Sequence, residues 1–177
     1  MKSRSKERLI VGISGGVDSA VAALLLVRDG YEVQGLHMNN WDDDGQYCKA
    51  AEDYRDARKV CADLGIPLHR VNFASEYREQ VFNDFLNEYS SGGTPNPDVA
   101  CNRQIKFGAF VDYAIRLGAD RIATGHYARI ERSGTTVKLL KGLDNDKDQT
   151  YFLHAVRAKA LSRSTFPIGD YTKTEVR

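Results

Sequence analysis

The segment 14–19, Ser-Gly-Gly-Val-Asp-Ser, combines residue types that bind phosphate, and it directly follows the apolar run 9–13. Gly15 and Gly16 remove side chains that would block the approach of an anion to the backbone amides. The serine hydroxyls add donors, and a helix beginning near Val17 would direct its positive end at the anion. The loop has neither the lysine of GxxxxGK(S/T) nor the spacing of GxGxxG. We predict a phosphate loop of another type; the alternative is a plain turn.

A second candidate is Cys101, in the segment 94–107, Thr-Pro-Asn-Pro-Asp-Val-Ala-Cys-Asn-Arg-Gln-Ile-Lys-Phe. We expect a helix to begin near Arg103, which places Cys101 at or just before a helix N-terminus, with Arg103 and Lys106 close by. Both features lower the pKa of a thiol, so the pattern predicts a reactive cysteine. Asp98 would handle a proton or hold a base edge. The alternative for an isolated cysteine is a small buried hydrophobe.

The other cysteines indicate packing. Cys61 lies on the apolar stripe of a predicted helix at 46–64, and Cys48 borders that stripe. Three cysteines without a CxxC pair argue against a disulfide framework and a structural zinc site. The acidic run 42–44 is more typical of an exposed loop than of a metal site, so we predict no protein metal centre.

Composition and charge restrict the class of protein. Of the 177 residues, 42% are hydrophobic and 28% are charged, as in ordinary globular domains. The net charge of +1 gives no global electrostatic case for nucleic-acid binding, so local basic patches or parts outside this chain would hold such a partner. No apolar run approaches the roughly 20 residues that span a bilayer. We expect a cytoplasmic protein without a membrane partner.

Apolar periodicity places the motifs on alternating strands and helices. Strands are predicted at 9–13, 33–37, 67–73 and 121–124. Helices are predicted at 17–29, at 46–64, after a cap at Ser75, and at about 103–117. A change of period predicts a β-hairpin at 127–141. This order indicates a doubly wound α/β fold with a mostly parallel sheet, followed by the hairpin and the start of a helical segment.

Six motifs together resemble the tRNA-specific 2-thiouridylases (MnmA family), along essentially the whole chain. They are Ser-Gly-Gly-Val-Asp-Ser at 14–19, Gly-Leu-His-Met-Asn-Asn-Trp at 35–41, Thr-Pro-Asn-Pro-Asp-Val-Ala-Cys-Asn at 94–102, Ile-Lys-Phe at 105–107, Ala-Thr-Gly-His-Tyr at 123–127, and Asp-Lys-Asp-Gln-Thr-Tyr-Phe-Leu at 146–153. The first motif resembles the pyrophosphatase loop (PP-loop) of enzymes that split ATP between its α- and β-phosphates, within an adenine nucleotide alpha hydrolase-like fold. The third and the last are more specific to the thiouridylases.

The resemblance implies a reaction with ATP and Mg²⁺. Family members adenylate the 2-carbonyl oxygen of the wobble uridine in tRNAs for Lys, Glu and Gln. A persulfide sulfur, delivered by a sulfur-relay carrier protein, then displaces AMP and leaves 2-thiouridine. The target base has to be flipped out, because its reacting atom is inaccessible when the base is stacked.

The resemblance also assigns roles to residues. Cys101 is implied as the catalytic cysteine, assisted by Asp98, and Asp18 would serve magnesium or pyrophosphate. The implied ATP-binding residues are Gly12, Ile13, Ser14, Gly15, Gly16, Val17, Asp18, Ser19, Met38 and Gly125. The implied contacts to the target base are Asn96, Pro97 and Asp98, and those to the rest of the tRNA are Lys147, Asp148 and Gln149. His126 would line the nucleotide or base pocket, or be a structural histidine.

The family pattern divides the chain into two parts. Residues 1–143 would form the PP-loop ATP-binding domain, including the hairpin 127–141, and 144–177 would begin a tRNA-contacting helical segment. The segment 172–175, Thr-Lys-Thr-Glu, predicts a capping box at a helix start just before the chain ends, which suggests a truncated N-terminal half. The second, persulfide-carrying cysteine of the family has no counterpart here. We therefore expect the chain to bind ATP but not to thiolate tRNA alone.

Two other interpretations stay open. Another AMP-forming PP-loop ligase or amidotransferase would act on small molecules and would not need the segment 94–102. A non-catalytic ATP-sensing module would give Cys101 no role.

Overall fold

A computed structural model describes residues 6–41 and 49–177, and a parallel sheet forms its centre. The strands are β1 (Arg8–Gly12), β2 (Glu32–Asn39), β3 (Leu68–Asn72), β4 (Arg121–Ala123), β5 (Ala128–Ser133), β6 (Thr136–Lys141) and β7 (Ser164–Thr165). The main sheet has the order β3-β2-β1-β4-β7, and each neighbouring pair is parallel. The predicted mostly parallel α/β fold is therefore confirmed.

Helices connect the strands and cover the sheet. They are α1 (Val17–Arg28), α2 (Lys49–Leu64), α3 (Ala74–Tyr77), α4 (Asn83–Ser90), α5 (Pro97–Cys101), α6 (Phe110–Arg116), α7 (Thr150–Leu153), α8 (Ala158–Ser162) and α9 (Lys173–Val176). Two π-helical segments, Arg78–Phe82 and Asn102–Ala109, join α3 to α4 and α5 to α6. The second join makes a continuous helical rod over 97–116, bent at Phe107.

Alternation along β1 divides the apolar core between the two faces of the sheet. Leu9 and Val11 pack with the buried faces of α1 and α2, whereas Ile10 packs with Phe110 of the helical rod on the opposite face. Helices on both faces are what a parallel sheet requires, since its strands are apolar on both sides. No helix of the described residues is long and apolar enough to cross a membrane.

Several boundaries differ from the sequence predictions. The helix expected near Arg103 begins at Pro97, because the Asn96 side chain accepts hydrogen bonds from the amides of Asp98 and Val99. The cap expected at Ser75 is wrong: Asn72 Oδ1 instead accepts from the amide of Ala74.

The hairpin and the end of the chain add two further findings. Strands β5 and β6 pair antiparallel as predicted, but they form a separate two-stranded sheet. The segment 144–177, expected as helical, also supplies β7 to the main sheet. The capping box at Thr172 and Glu175 is present at the start of α9.

Candidate functional site

A cavity of about 540 Å³ opens at the carboxyl ends of β1, β2 and β4. From β1 the chain winds one way to β2 and β3, and β4 lies on the other side of β1. Ligands of open α/β sheets bind at this reversal of winding. The cavity is lined by Gly12, Ile13, Ser14, Asp18, Ser19, Leu36, His37, Met38, Asn39, Asn40, Trp41, Asp53, Lys106, Phe110, Thr124, Gly125, His126 and Gln149. It therefore gathers seven of the ten predicted ATP-binding residues.

The loop between β1 and α1 is shaped by glycines. Gly15 has φ +92°, and a Cβ on it would lie 2.7 Å from the carbonyl oxygen of Asp53 in α2. A Cβ on Gly125 would lie 2.7 Å from the amide nitrogen of Ser19. Only glycine fits at these two positions, so the loop is held between α2 and Gly125, the second residue after β4.

The hydroxyl of Ser19 stabilises the loop through hydrogen bonds to its backbone. It donates to the carbonyl of Gly16 at 2.9 Å and accepts from the amide of Ser14 at 3.2 Å. Gly16 is the N-cap of α1 and has no side chain that could accept a hydrogen bond. The backbone amides in the first turn of α1 therefore have neither a capping side chain nor an acceptor within the helix. Free amides at the positive end of a helix, here one of twelve residues, are an arrangement that attracts anions in proteins generally.

Asp18 is the carboxylate at this loop. Its Oδ1 accepts from Tyr127 Oη at 2.9 Å and from Lys173 Nζ at 2.6 Å. Burial and the neighbouring Asp18 carboxylate raise the pKa of Tyr127, so its hydroxyl stays protonated and donates. Asp144 accepts from the backbone amide of Lys173 at 2.9 Å and holds the start of α9 in place.

Two buried histidines line the cavity. His37 Nδ1 lies 2.9 Å from the carbonyl oxygen of Ile13, and His126 Nδ1 lies 2.7 Å from Thr124 Oγ1. Burial, aided by the charge of Lys106, lowers the pKa of His126 to about 3. His126 is therefore a neutral hydrogen-bonding group at neutral pH. His37 is not among the site residues predicted from the sequence.

Cys101 lies outside the cavity, one turn into the rod rather than at its start. Burial raises the pKa of its thiol, Lys106 lowers it and Asp98 raises it, with burial the largest effect. The expected position of Cys101 at a helix N-terminus and the expected lowered pKa of its thiol are therefore wrong. Asn102, next along the chain, is 3% exposed, and its Oδ1 has no partner among the described residues.

The three residues predicted to contact tRNA differ in their surroundings. Lys147 is exposed. Asp148 accepts from the amide of Gly142 at 2.9 Å and from Thr150 Oγ1 at 2.7 Å. Gln149 Oε1 accepts from the amide of Tyr127 at 3.0 Å, and Gln149 also lines the cavity. Asp148 and Gln149 therefore fix the backbone beside the site.

The remaining sequence predictions concern cysteines and acidic residues. Cys61 is 2% exposed and packs as predicted; its Sγ would lie 2.7 Å from a Cβ on Gly35. Cys48 and the acidic run 42–44 lie outside the described residues. The base-contacting candidates Asn96 and Asp98 are exposed, and Asn96 lines a second cavity along the rod.

Comparisons with known proteins give consistent matches. Residues 7–177 match the profile of a family described as tRNA methyl transferase HUP domain. The chain is 59% identical over 179 residues to the tRNA-specific 2-thiouridylase MnmA of Pseudomonas putida (strain GB-1), covering 100% of this chain and 48% of that relative. It is 61% identical over 175 residues to the protein of the same name from Pseudomonas aeruginosa (strain LESB58), covering 97% of this chain and 46% of the relative. The chain thus spans about half the length of the curated relatives it matches.

A solved structure shares the fold. The U34-tRNA thiolase NcsA from Methanococcus maripaludis superposes with a TM-score of 0.58 at 20% sequence identity, over 96% of this chain and 54% of the thiolase. At this identity the similarity concerns the fold alone.

Proposed function

The chain belongs to the tRNA methyl transferase HUP domain family, and we propose that it performs the ATP-dependent activation step of tRNA 2-thiolation. Its sequence matches the N-terminal portion of tRNA-specific 2-thiouridylases. Its substrates would be ATP and the wobble uridine of tRNAs for Lys, Glu and Gln. A sulfur-relay persulfide carrier would supply the sulfur.

One observation carries this proposal: Lys106 connects the cavity with the candidate thiol. Its side chain lines the cavity that contains the phosphate loop, and its charge lowers the pKa of Cys101. Among the described residues, no hydrogen bond or ion pair occupies its ammonium group. The first cavity and the cysteine are therefore neighbours along one helical rod, which supports adenylation followed by sulfur transfer.

The loop would bind the phosphates of ATP. The free first-turn amides of α1 would donate hydrogen bonds to phosphate oxygens. Gly15 and Gly16, which have no side chains, would let the phosphates approach the backbone closely. Met38 lies at the carboxyl end of β2 and lines the same cavity, where it would pack on the nucleoside. The uridine oxygen O2 would attack the α-phosphorus, and the bond to the β-phosphate would break to release pyrophosphate.

Mg²⁺ fits the residues at the loop. This ion takes oxygen ligands and is usually held by one or two carboxylates together with substrate phosphates and water. Asp18 provides one such carboxylate at the phosphate loop, and Mg²⁺ bound there would neutralise charge on the phosphates. Lys173 Nζ lies 2.6 Å from Asp18 Oδ1. When ATP and Mg²⁺ bind, the ammonium group of Lys173 would interact with the phosphates in place of part of its ion pair with Asp18.

The second stage would involve the base and sulfur. Asn96, Pro97 and Asp98, exposed or half-buried at the start of the rod, would contact the flipped uridine. The outer sulfur of the persulfide would attack C2, and the bond from C2 to the adenylated oxygen would break to release AMP. The Cys101 thiolate, favoured by Lys106, would then attack the inner sulfur of the persulfide. The S–S bond would break, the outer sulfur would stay on C2 as 2-thiouridine, and Cys101 would form a disulfide with the donor cysteine that an external thiol reduces.

Transfer of AMP to RNA tests the proposal. The chain is incubated with ATP labelled at the α-phosphate and with anticodon stem-loop RNAs that carry uridine or cytidine at the wobble position. We expect labelled RNA and pyrophosphate only with uridine, and a loss of at least tenfold in Asp18→Asn. Asp112→Asn, which alters an exposed carboxylate on α6, is the control and should keep the activity.

The competing functions predict other results. A small-molecule ligase would release pyrophosphate with xanthosine monophosphate or citrulline, and not with RNA. A sensing module would bind ATP without releasing pyrophosphate. Equal labelling of the uridine and cytidine RNAs, or none of either, would contradict the proposed function.

A further inference from the structure

A second cavity, of about 580 Å³, lies beside the helical rod. The rod supplies Asn96, Val99 and Arg103 to its wall, and the segment around α7 supplies Tyr151 and His154. Glu88 at the end of α4 adds an exposed carboxylate. No role follows for Arg103, Tyr151 or His154 from the activation step proposed above.

The two cavities follow each other along the rod. Asn96, Val99 and Arg103 line the second cavity, and Lys106 and Phe110, further along the rod, line the first. The opposite wall runs in the reverse chain direction, from Gln149 in the first cavity to Tyr151 in the second. Helix α7 packs against both α5 and the π-helical segment 102–109. A single strand of RNA that enters the first cavity would therefore pass along the second cavity.

Polar groups of the second cavity are available for further hydrogen bonds. Within residues 6–41 and 49–177, the Arg103 guanidinium makes no hydrogen bond or ion pair. Asn96 Oδ1 is occupied by the amides of Asp98 and Val99, which leaves the Nδ2 group to donate. His154 Nδ1 lies 2.7 Å from the carbonyl oxygen of Tyr151, so Nδ1 donates and Nε2 of the neutral ring is an acceptor.

Tyr151 supplies an aromatic surface. Its side chain is 58% exposed, although large aromatic groups are usually covered. The ring of Phe152 lies 3.8 Å away, centroid to centroid, and supports one side of the Tyr151 ring. Unpaired bases of RNA are recognised by stacking on such rings and on arginine, with hydrogen bonds to the base edges.

We propose that the second cavity binds the nucleotide that flanks the target uridine in the tRNA. Its base stacks on Tyr151, Arg103 holds its phosphate, and His154 provides an acceptor for the base edge. Asn96, at the border of this cavity, stays available to the flipped uridine. This inference rests on the proposed function, since it takes the first cavity as the site of base activation. By binding the flanking nucleotide, the second cavity keeps the flipped uridine in position in the first cavity and recognises the base beside it.

A fluorescent base tests the inference. Two anticodon stem-loop RNAs carry 2-aminopurine on the 5′ or the 3′ side of the wobble uridine and are titrated with the chain. We expect quenching by stacking at one of the two positions. Tyr151→Ala should abolish that quenching and weaken RNA binding roughly tenfold, whereas Tyr151→Phe retains both. The matched control is Tyr89→Ala, which removes a tyrosine that is 68% exposed on α4 and lines neither cavity.

The arginine gives an independent readout. Arg103→Met should reduce the slope of log affinity against log salt by about 0.7, the value for one phosphate contact to a single strand. No quenching at either position, or quenching and affinity that Tyr151→Ala leaves unchanged, would overturn the inference. If Tyr151→Ala instead weakened binding only of a persulfide-carrying protein, the cavity would be a protein-docking site and the inference would also fail. Uridine-dependent labelling by AMP, measured in parallel, reports on the proposed function separately.

Discussion

Lys173 Nζ lies 2.6 Å from Asp18 Oδ1, and 155 positions separate the two residues along the chain. The pair joins α9 to the first turn of α1, and the hydroxyl of Tyr127 reaches the same oxygen. The loop from Gly12 to Ser19 and the last helix are therefore held together by direct contacts. Lys173 places a positive charge beside the loop from a helix that is distant along the chain.

The Asp18–Lys173 pair should stabilise the fold measurably. The two side chains are 35% and 19% exposed, so we expect Lys173→Met to lower the free energy of unfolding by about 1 kcal/mol. The control is Lys138→Met, which removes an ion pair with Glu131 whose side chains are 61% and 52% exposed, and it should cost much less. Urea unfolding measures both, and equal costs would show that the Asp18 pair adds nothing.

Two glycine substitutions should separate packing from ATP binding. In Gly125→Ala the new Cβ meets the backbone of Asp18 and Ser19 at 2.7 Å, so we expect a loss of stability of about 2 kcal/mol or more. In Gly16→Ala the nearest atom is Ser14 Oγ at 3.5 Å, so the fold should be retained. ATP affinity should nevertheless fall at least tenfold in Gly16→Ala, because the methyl group occupies the approach to the amides. Thermal unfolding and calorimetric titration measure the two effects; a stable Gly125→Ala protein would refute the packing argument.

His126 should make stability depend on pH. Its pKa is about 3 when folded and 6.5 in the reference state, so between these values only the unfolded chain binds the proton. Stability then rises with pH across this window and falls as the pH drops below 6.5. From pH 7 to pH 5, the wild type should lose up to about 2 kcal/mol more than His126→Gln. Urea unfolding at both pH values measures this difference, and identical losses would contradict the burial argument.

Cys101 should react slowly at neutral pH. Because burial raises its pKa, alkylation by iodoacetamide should still accelerate above pH 9. Lys106→Gln should slow the reaction further at each pH, whereas Lys106→Arg should leave it nearly unchanged, since the lysine charge lowers the thiol pKa. Mass spectrometry of the peptide containing Cys101 distinguishes it from the other cysteines. A rate that is already at its maximum at pH 7 would contradict the raised pKa.

The alternation of strands and helices could be predicted because each element carries a strong local pattern. Segment 9–13 is an apolar run, and it pairs in parallel with the strand predicted at 33–37. The two-residue strand β7 could not be predicted, since Ser164 and Thr165 show no apolar pattern and form a strand only because β4 lies beside them. The start of the rod was missed because a cap at Asn96 before Pro97 was read as part of a loop.

The loop between β1 and α1 could be predicted because its pattern is local in sequence, whereas the environment of Cys101 could not. The basic neighbours of Cys101 are visible in the sequence, but the burial that outweighs them arises where Cys101 packs against the core together with residues distant along the chain, such as Tyr77. The same holds for Lys173, which reaches Asp18 only through tertiary structure. His37 also joins the cavity only through the sheet, and no sequence pattern had indicated it.

Titration of the isotope-labelled chain with ATP and Mg²⁺, followed by amide resonances, tests the central claim most directly. The claim is that the loop from Gly12 to Ser19 binds the phosphates of ATP. We predict the largest shifts at the amides of this loop and at Gly125, with Cys61 and the hairpin β5–β6 unchanged and the response lost in Gly16→Ala. Shifts that are absent, or that cluster away from the loop and Gly125, would contradict the claim.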